Sequence, residues 1–511
     1  MNRLMLAAMA AIVLLFVTAT TAPARPVVVP AGGSKAKLAA SSAPTGQPKA
    51  PYTTAGRWIT DSQGRVYITA GVNMVSKLPP YKPSATGFSA DDAEYLAANG
   101  MDSVRLGLIW KAAEPRPGVY DDAYIDDLIA TTRMLDSYGI SVLIDAHQDM
   151  ASERFQGQGF PDWAVLDKGV PSFPQLGFPT NSLFNLGLLV AWDAFLGNEK
   201  GPGGVGLQDR YAAMWGHVAA RFKGVPGVLG WDIMNEPLAG SRWGECLDGL
   251  NRCPQVVAKL EQMHRKAGAA IRASTDDGIV MYEPIALITL GAPALVGPPA
   301  VKNQALSYHL YCPFITLFNA QWICDLGFDD ELHVDSLAKA ARDGSASLMT
   351  EWGATNNLDV LRSTVDRAAK FMVGQQWWAY CACGDPTTID QTGQGLVEDP
   401  SKPPVGDNVR QQKTDILATP RPRAIAGTPK SYKFNRGKRV FKLDYSTTRP
   451  TGVGAFPARS QTIVSVPVSQ YPGGYTVKVT GATVVSEANA PALVVSSKSG
   501  AAQISVTVRP R

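Results

Sequence analysis

Between residues 52 and 418, short apolar runs alternate with amphipathic ones, and this alternation constrains the chain more than any other feature. The apolar runs fall at 66–73, 103–110, 141–147, 228–236, 278–284, 305–312, 347–351 and 376–381, and their length and composition predict buried strands. The stretches 91–99, 121–138, 208–222, 255–273 and 360–373 carry apolar residues at the spacing of a helix face. Strands that alternate with helices build a parallel sheet, and eight such units close into an α/β fold, the (β/α)8 TIM barrel. From about 419 to 511 the pattern becomes short alternating strands at 441–445, 462–467, 475–479, 492–496 and 504–508, separated by Gly, Pro and Asn. That predicts a C-terminal β-sandwich, either a structural partner packed on the barrel or a carbohydrate-binding module.

The start of the chain reads as a targeting segment. Met1-Asn-Arg3, the apolar run 4–17 and Ala22-Pro-Ala24 have the order of a secretory signal over 1–24. An uncleaved anchor is the alternative, although the run is shorter than the roughly 20 residues of a spanning helix. Residues 25–51 are rich in Pro, Ala, Ser and Lys without an apolar period, so a disordered leader is expected before the barrel domain at 52–418 and the sandwich at 419–511. A secreted or cell-envelope location follows from the signal, and a monomer is expected. Six cysteines in an exported chain favour disulfides. Cys246 with Cys253 and Cys312 with Cys324 would each staple a local loop. Cys381 and Cys383 lie two apart on one predicted strand, where their side chains point the same way and bond each other poorly, so their partners stay open. The net charge of +4 is too small for a nucleic-acid partner. It is concentrated, however, in eight Lys or Arg between Arg421 and Lys442 with no acid, a solvated surface or one drawn to an anionic membrane.

Reactive side chains of a TIM barrel gather where its strands end. Arg105, His147, Asp149, Asn235, Glu236, His309, Tyr311, Glu351 and Trp378 all fall on or just beyond predicted strands. Glu236 and Glu351 each close an apolar run. Two carboxylates that face each other can protonate a leaving oxygen and attack the carbon behind it, which is glycoside hydrolysis. Glu283, in Tyr-Glu-Pro, competes for the acid role; Asp145 and Asp232 read as a polar network. His147, Asp149 and His309 lack the tight spacing of a metal site, so no metal and no cofactor are expected. The excess length of the barrel is mostly an insertion at 151–206, rich in Phe and Trp and apolar from 183 to 196. It is either a small helix capping the barrel or an apolar wall for a greasy substrate.

Trp231-Asp-Ile-Met-Asn-Glu-Pro237, followed far downstream by Thr350-Glu-Trp-Gly353, resembles glycoside hydrolase family 5 of clan A. Gly71-Val-Asn-Met-Val-Ser-Lys77-Leu-Pro-Pro-Tyr81, Asp145-Ala-His-Gln-Asp149-Met150, Gly159-Phe-Pro-Asp-Trp-Ala164 and Ala424-Ile-Ala-Gly-Thr-Pro429 resemble its endoglycoceramidase branch from about residue 56 onward. The resemblance implies a retaining double displacement that frees a glycan from ceramide, with Glu236 as acid/base and Glu351 as nucleophile. It further implies that Asn235 bonds the sugar 2-hydroxyl, that Tyr311 and Arg105 hold Glu351 ionised, and that His147 and His309 line the pocket. Trp378 would be the sugar floor, while Lys77 and Asp149 would bind sugar hydroxyls. Around 375–383 the chain departs from the branch, which leaves the sugar specificity open. Galactosylceramide-restricted enzymes, steryl glucosidases, β-glucanases or mannanases and a catalytically silent glycolipid-binding protein are the other readings.

Overall fold

The computed structural model describes residues 47–247, 251–313, 321–388 and 393–511. The expected signal at 1–24, and the expected leader up to residue 46, lie outside the described residues. No helix among them is long and apolar enough to cross a membrane.

Eight parallel strands close into a barrel: Ala70–Met74, Ser103–Leu108, Ser141–Ala146, Val228–Asp232, Ile279–Tyr282, Gln304–Leu310, Ala346–Trp352 and Gly374–Trp377. Their residues are buried almost throughout, as strands covered on both faces must be. Helices such as Asp122–Ser137, Leu207–Phe222, Pro254–Ser274 and Leu358–Phe371 ring the outside. The last shows why they form and stop: Asn357 caps it by accepting the Asp359 N–H, and Val360, Leu361, Thr364, Val365 and Ala368 make its buried stripe. Met372, at φ 54°, then turns the chain out of the helix. Phe328–Arg342 is a further helix that the sequence pattern did not separate.

The first barrel strand is shorter than expected, because the run 66–73 is two strands that belong to different sheets. Ala70–Met74 pairs in parallel with Ser103–Leu108, whereas Val66–Tyr67 pairs antiparallel with Ala424 and Ile425. Thr53–Ala55, Trp58–Thr60 and Val66–Tyr67 thus join a seven-stranded antiparallel sheet with Arg421–Ile425, Gln461–Ser465, Ala492–Ser497 and Ala482–Val484. A second sheet holds Thr428–Asn435, Val440–Ser446, Gln503–Pro510 and Tyr475–Thr480 in that order. The two share a core that includes Val66, Ile425, Phe441, Leu443, Val495 and Val508. Sequence position therefore divides the chain less cleanly than the change of pattern at 419 suggests.

Asp102, fully buried at the start of the second barrel strand, ties the barrel to this domain. Its carboxylate takes Arg421 at 2.6 Å and Arg423 at 2.8 Å, and it accepts the Ala70 N–H at 3.0 Å. Tyr52, Ile59 and Tyr67 plug the barrel floor against Leu143, Leu229, Met281 and Leu348.

All three disulfides are local. Cys246 bonds Cys253 and Cys312 bonds Cys324, as the spacing suggested. Cys381 bonds Cys383, against the expectation that one strand would hold both side chains parallel. The strand has ended at Trp377, and Cys383 adopts φ 47°, which turns its side chain back.

Candidate active site

The C-terminal ends of the barrel strands converge on Arg105. Its buried guanidinium donates to Asp232 at 3.0 Å, Asp145 at 2.9 Å, Glu283 at 2.8 Å and Glu351 at 2.5 Å, and to the amide oxygens of Asn73 and Asn235 at 3.2 and 3.0 Å. One fixed fork of five N–H groups thereby sets the position of residues from five strands or the turns that follow them.

Glu351 is reached through an irregularity in the seventh strand. The register against the sixth strand shifts between Met349 and Glu351. Strict alternation would send neighbours to opposite faces; here the Thr350 hydroxyl meets Ser307 at 2.5 Å while Glu351 reaches Arg105. Tyr311 donates to the other Glu351 oxygen at 2.9 Å. Burial raises the Glu351 carboxyl above its ordinary range, opposed by the charges of His309 and Arg105 and reinforced by Glu236.

Glu236 lies four residues beyond the last strand residue, Asp232, and not at the strand end that the sequence suggests. Its backbone is left-handed at φ 42°, a conformation a glutamate adopts only when its surroundings impose it. Two side chains do so, through three hydrogen bonds. Gln148 donates to the carbonyls of Asn235 at 2.8 Å and Glu236 at 2.9 Å, and Glu283 accepts the Glu236 N–H at 2.8 Å. Upstream, Tyr211 and Trp215 both donate to the Ile233 carbonyl. Glu283, which the sequence offered as a rival acid, is thus a brace for the turn that carries Glu236. Gln148 was missed, and its only sequence signal was its place between His147 and Asp149.

His309 joins the two glutamates. Its Nδ1 lies 2.8 Å from Glu236 Oε1 and 3.5 Å from Glu351 Oε2, and its Nε2 lies 3.3 Å from Glu283. Burial disfavours a charged ring, yet the carboxylates of Glu283 and Glu351 outweigh it and hold His309 protonated well above its ordinary range. One carboxylate oxygen from each of Glu236 and Glu351 and a ring nitrogen of His309 fall within 4.8 Å of one another. The three could surround a cation only after His309 gave up that proton.

The remaining predicted residues form a second cluster beside the first. His147 bonds Asp145 at 2.7 Å and stacks on Trp378 with ring centroids 5.1 Å apart. Burial would neutralise it, but Asp145 and Asp149 push its pKa up to about 9. Lys77 pairs with Asp149 at 2.7 Å and Asp385 at 3.1 Å, donates to Thr387 at 2.8 Å, and lies 4.3 Å from the Trp378 ring centre. All three ammonium protons of Lys77 therefore have protein acceptors. Trp378 donates its ring N–H to Gln394, while the neighbouring Trp377 turns outward against Trp352.

The insertion does two things. Leu188, Trp192, Phe195 and Leu196 of the helix Leu186–Leu196 are buried, with Phe160, Trp192 and Phe195 packed together and Phe160 and Phe195 against Trp110. Phe173 and Leu186 stay exposed, at 67% and 52% of their surface. Much of its apolar content is thus core, while Trp163, Phe178, Leu183 and Phe184 stay half-buried and Phe173 and Leu186 form an exposed edge.

Comparison with known proteins agrees with this geometry. Residues 69–384 match the family described as Cellulase (glycosyl hydrolase family 5), and residues 420–508 match the Glycoside hydrolase family 5 C-terminal domain. Endoglycoceramidase I of Rhodococcus hoagii (strain 103S) is 29% identical over 459 residues, covering 86% of this chain and 85% of that protein. An endoglycoceramidase of Hydra vulgaris is 26% identical over 456 residues, covering 82% and 80%. The solved structure of Endo-glycoceramidase II from Rhodococcus sp. as a lactosyl-enzyme intermediate superposes with a TM-score of 0.72 at 26% identity, over 88% of this chain and 99% of that one.

Proposed function

Because this chain belongs to glycoside hydrolase family 5 and is a retaining glycosidase, we propose that it cleaves the bond between glycan and ceramide in glycosphingolipids, with Glu351 as nucleophile and Glu236 as acid/base. The observation that carries the reading is the separation of these two groups. Their nearest oxygens fall within 4.8 Å. A retaining pair stands about 5 to 5.5 Å apart, whereas an inverting pair needs about 6.5 to 9.5 Å to admit a water between carboxylate and sugar. The lipid part of the proposal rests on the relatives, which carry the name endoglycoceramidase.

In the first step Glu351 attacks the anomeric carbon while Glu236 gives its proton to the glycosidic oxygen, and the ceramide alcohol leaves. In the second, the Glu236 carboxylate takes a proton from water, whose oxygen attacks the same carbon and releases Glu351. Arg105 and Tyr311 donate to Glu351 and favour its anionic form. Asn235 spends one amide N–H on the Gln148 carbonyl at 3.0 Å and offers the other to the sugar 2-hydroxyl. His309, bonded to Glu236, keeps positive charge beside whichever glutamate is ionised. The signal read over residues 1–24 would deliver the enzyme outside the cell, which N-terminal sequencing of the exported protein checks.

Glu351→Gln and Glu236→Ala, assayed on a fluorescent glycosphingolipid, test the assignment. Loss of glycan release in both is expected, on the order of 10²- to 10⁴-fold for the acid/base. Release at the wild-type rate in either variant would remove that residue from the mechanism. Mass spectrometry of products from glucosyl, lactosyl and galactosyl ceramides and steryl glucosides fixes the glycan and the lipid.

A further inference from the structure

Charge is divided unevenly along the chain. Residues 52–418 hold 29 Lys and Arg against 42 Asp and Glu, whereas residues 419–511 hold 14 against 2, the two acids being Asp444 and Glu487. The small overall charge therefore conceals an acidic barrel joined to a basic domain. Of the eight cations between Arg421 and Lys442, two are held by buried Asp102 and Arg436 is held by Asp366 at 2.8 Å. Among the described residues no ion pair holds Lys433, Lys442, Lys478 or Arg509.

Strand register decides where those four go. In the four-stranded sheet, Phe441, Leu443, Tyr445, Val506 and Val508 turn into the shared core, so their neighbours face out. On that outward face Lys433 stands directly opposite Lys442, Lys442 opposite Thr507, and Thr507 opposite Lys478. One row thus crosses all four strands with three lysines in it. Arg509, opposite Thr476, extends the charge along the same face. Asp444 is the acid of this face, and its carboxylate accepts the Ser505 hydroxyl.

Like charges directly opposite each other weaken a sheet, so the pairing does nothing for the fold itself. Lysines on edge strands guard against unwanted strand pairing, which accounts for Lys433 and Lys478. It does not account for Lys442, because Val440–Ser446 is paired on both sides.

We propose that this outward face is a docking surface for the anionic headgroups of a lipid bilayer. The face is a broad cationic sheet with no aromatic side chain on it, so it lacks the stacking platforms with which proteins hold bases or sugar rings. An extended polyanion that wrapped the molecule would meet the acidic barrel, whereas a planar surface meets this face alone. The choice of lipid over another anionic plane rests on the glycolipid reading above, since such a substrate resides in a bilayer.

Flotation of the full chain with vesicles of phosphatidylcholine, and with the same vesicles carrying phosphatidylserine, tests the proposal. Binding to the second and not the first is expected, falling with added salt. Each cation near such a surface changes binding by about fivefold, so K433Q/K442Q/K478Q together should weaken it on the order of 100-fold. The three side chains are exposed, so the variant keeps its melting temperature and its rate on a detergent-solubilised glycolipid. Equal binding to both vesicles, or undiminished phosphatidylserine binding by the triple variant, overturns the proposal. So does capture by heparin without vesicle binding, which would point to a soluble polyanion. Vesicle binding needs no hydrolysis, so its failure is separate from failure of the enzymatic reading.

Discussion

The barrel mouth and the outer sheet of the C-terminal domain are both crowded with like charge, and they handle it in opposite ways. In the mouth, Asp145, Asp232, Glu283 and Glu351 share one buried Arg105 at 2.5 to 3.0 Å. Repulsion there is absorbed by moving protons: burial and Glu283 hold Asp232 well above the usual carboxylate range, and both histidines are pushed up. On the outer sheet Lys433, Lys442 and Lys478 stand in water, where solvent and salt screen them. Buried charge fixes geometry because every group is committed to a partner. Exposed charge leaves geometry alone and stays free to meet something else.

That contrast can be broken most directly at its centre. Arg105→Met should cost about 3 to 5 kcal/mol, because the buried carboxylates around it lose their shared counter-charge. A thermal melt within a degree or two of wild type would mean that the cluster is wetter than it looks.

A pH titration of stability is the next largest effect. His147 is held at about 9 in the folded protein against an ordinary 6.5. A raised value means that its stabilisation is complete below about pH 6.5 and is lost as pH rises through about 9, worth roughly 3 kcal/mol if the group titrates alone. His309 adds in the same direction. Denaturant midpoints that stay level from neutral pH to pH 9 would contradict the protonated histidines.

Glu283→Gln sharpens the comparison within the mouth. It keeps an acceptor for the Glu236 N–H but removes the charge that holds His309 protonated, with Glu236 and Glu351 still facing the ring. We expect kcat to fall about 10- to 100-fold with little change in KM. The alkaline limb of the pH–rate profile should move to lower pH as His309 gives up its proton earlier. A fall in rate without movement of that limb would leave Glu283 a structural brace only. In the wild type, the nucleophile role proposed for Glu351 places the acid limb above the ordinary Glu value of 4.5, since burial raises that carboxyl.

The smallest change is expected on the outer sheet. Lys442→Gln should alter stability by less than about 0.5 kcal/mol and, by relieving the repulsion with Lys433, raise it at low salt. A loss above 1 kcal/mol would show a structural use for that lysine which its exposure does not reveal.

Sequence reading located the eight barrel strands and the glutamate pair because both are local signals: a run of apolar residues ends, and an acid follows. What it could not see is built from contacts between distant residues. The register shift beside Glu351 depends on the sixth strand, and the bracing of Glu236 depends on Gln148 and Glu283, which lie 88 and 47 positions away. Cys381 and Cys383 looked unable to pair because the strand was drawn four residues too long. The motif that offered Lys77 and Asp149 as sugar ligands did not show that they also bond each other, Asp385 and Thr387. The C-terminal strands were visible by their alternation, but nothing local told Val66–Tyr67 to pair with a segment some 350 residues on.

That last pairing carries a consequence for how the molecule is made. A ribosome releases Thr53–Tyr67 early, yet the sheet that receives these strands is incomplete until Arg421–Ile425 has also emerged. Their backbone edges and the tyrosines that plug the barrel floor must wait while nearly the whole enzyme is synthesised. A chain truncated before residue 421 would keep every reactive side chain of the mouth and still present an open strand edge to its neighbours. The C-terminal domain is thus also a closing clasp, and a barrel expressed without it should aggregate before its chemistry can be asked about.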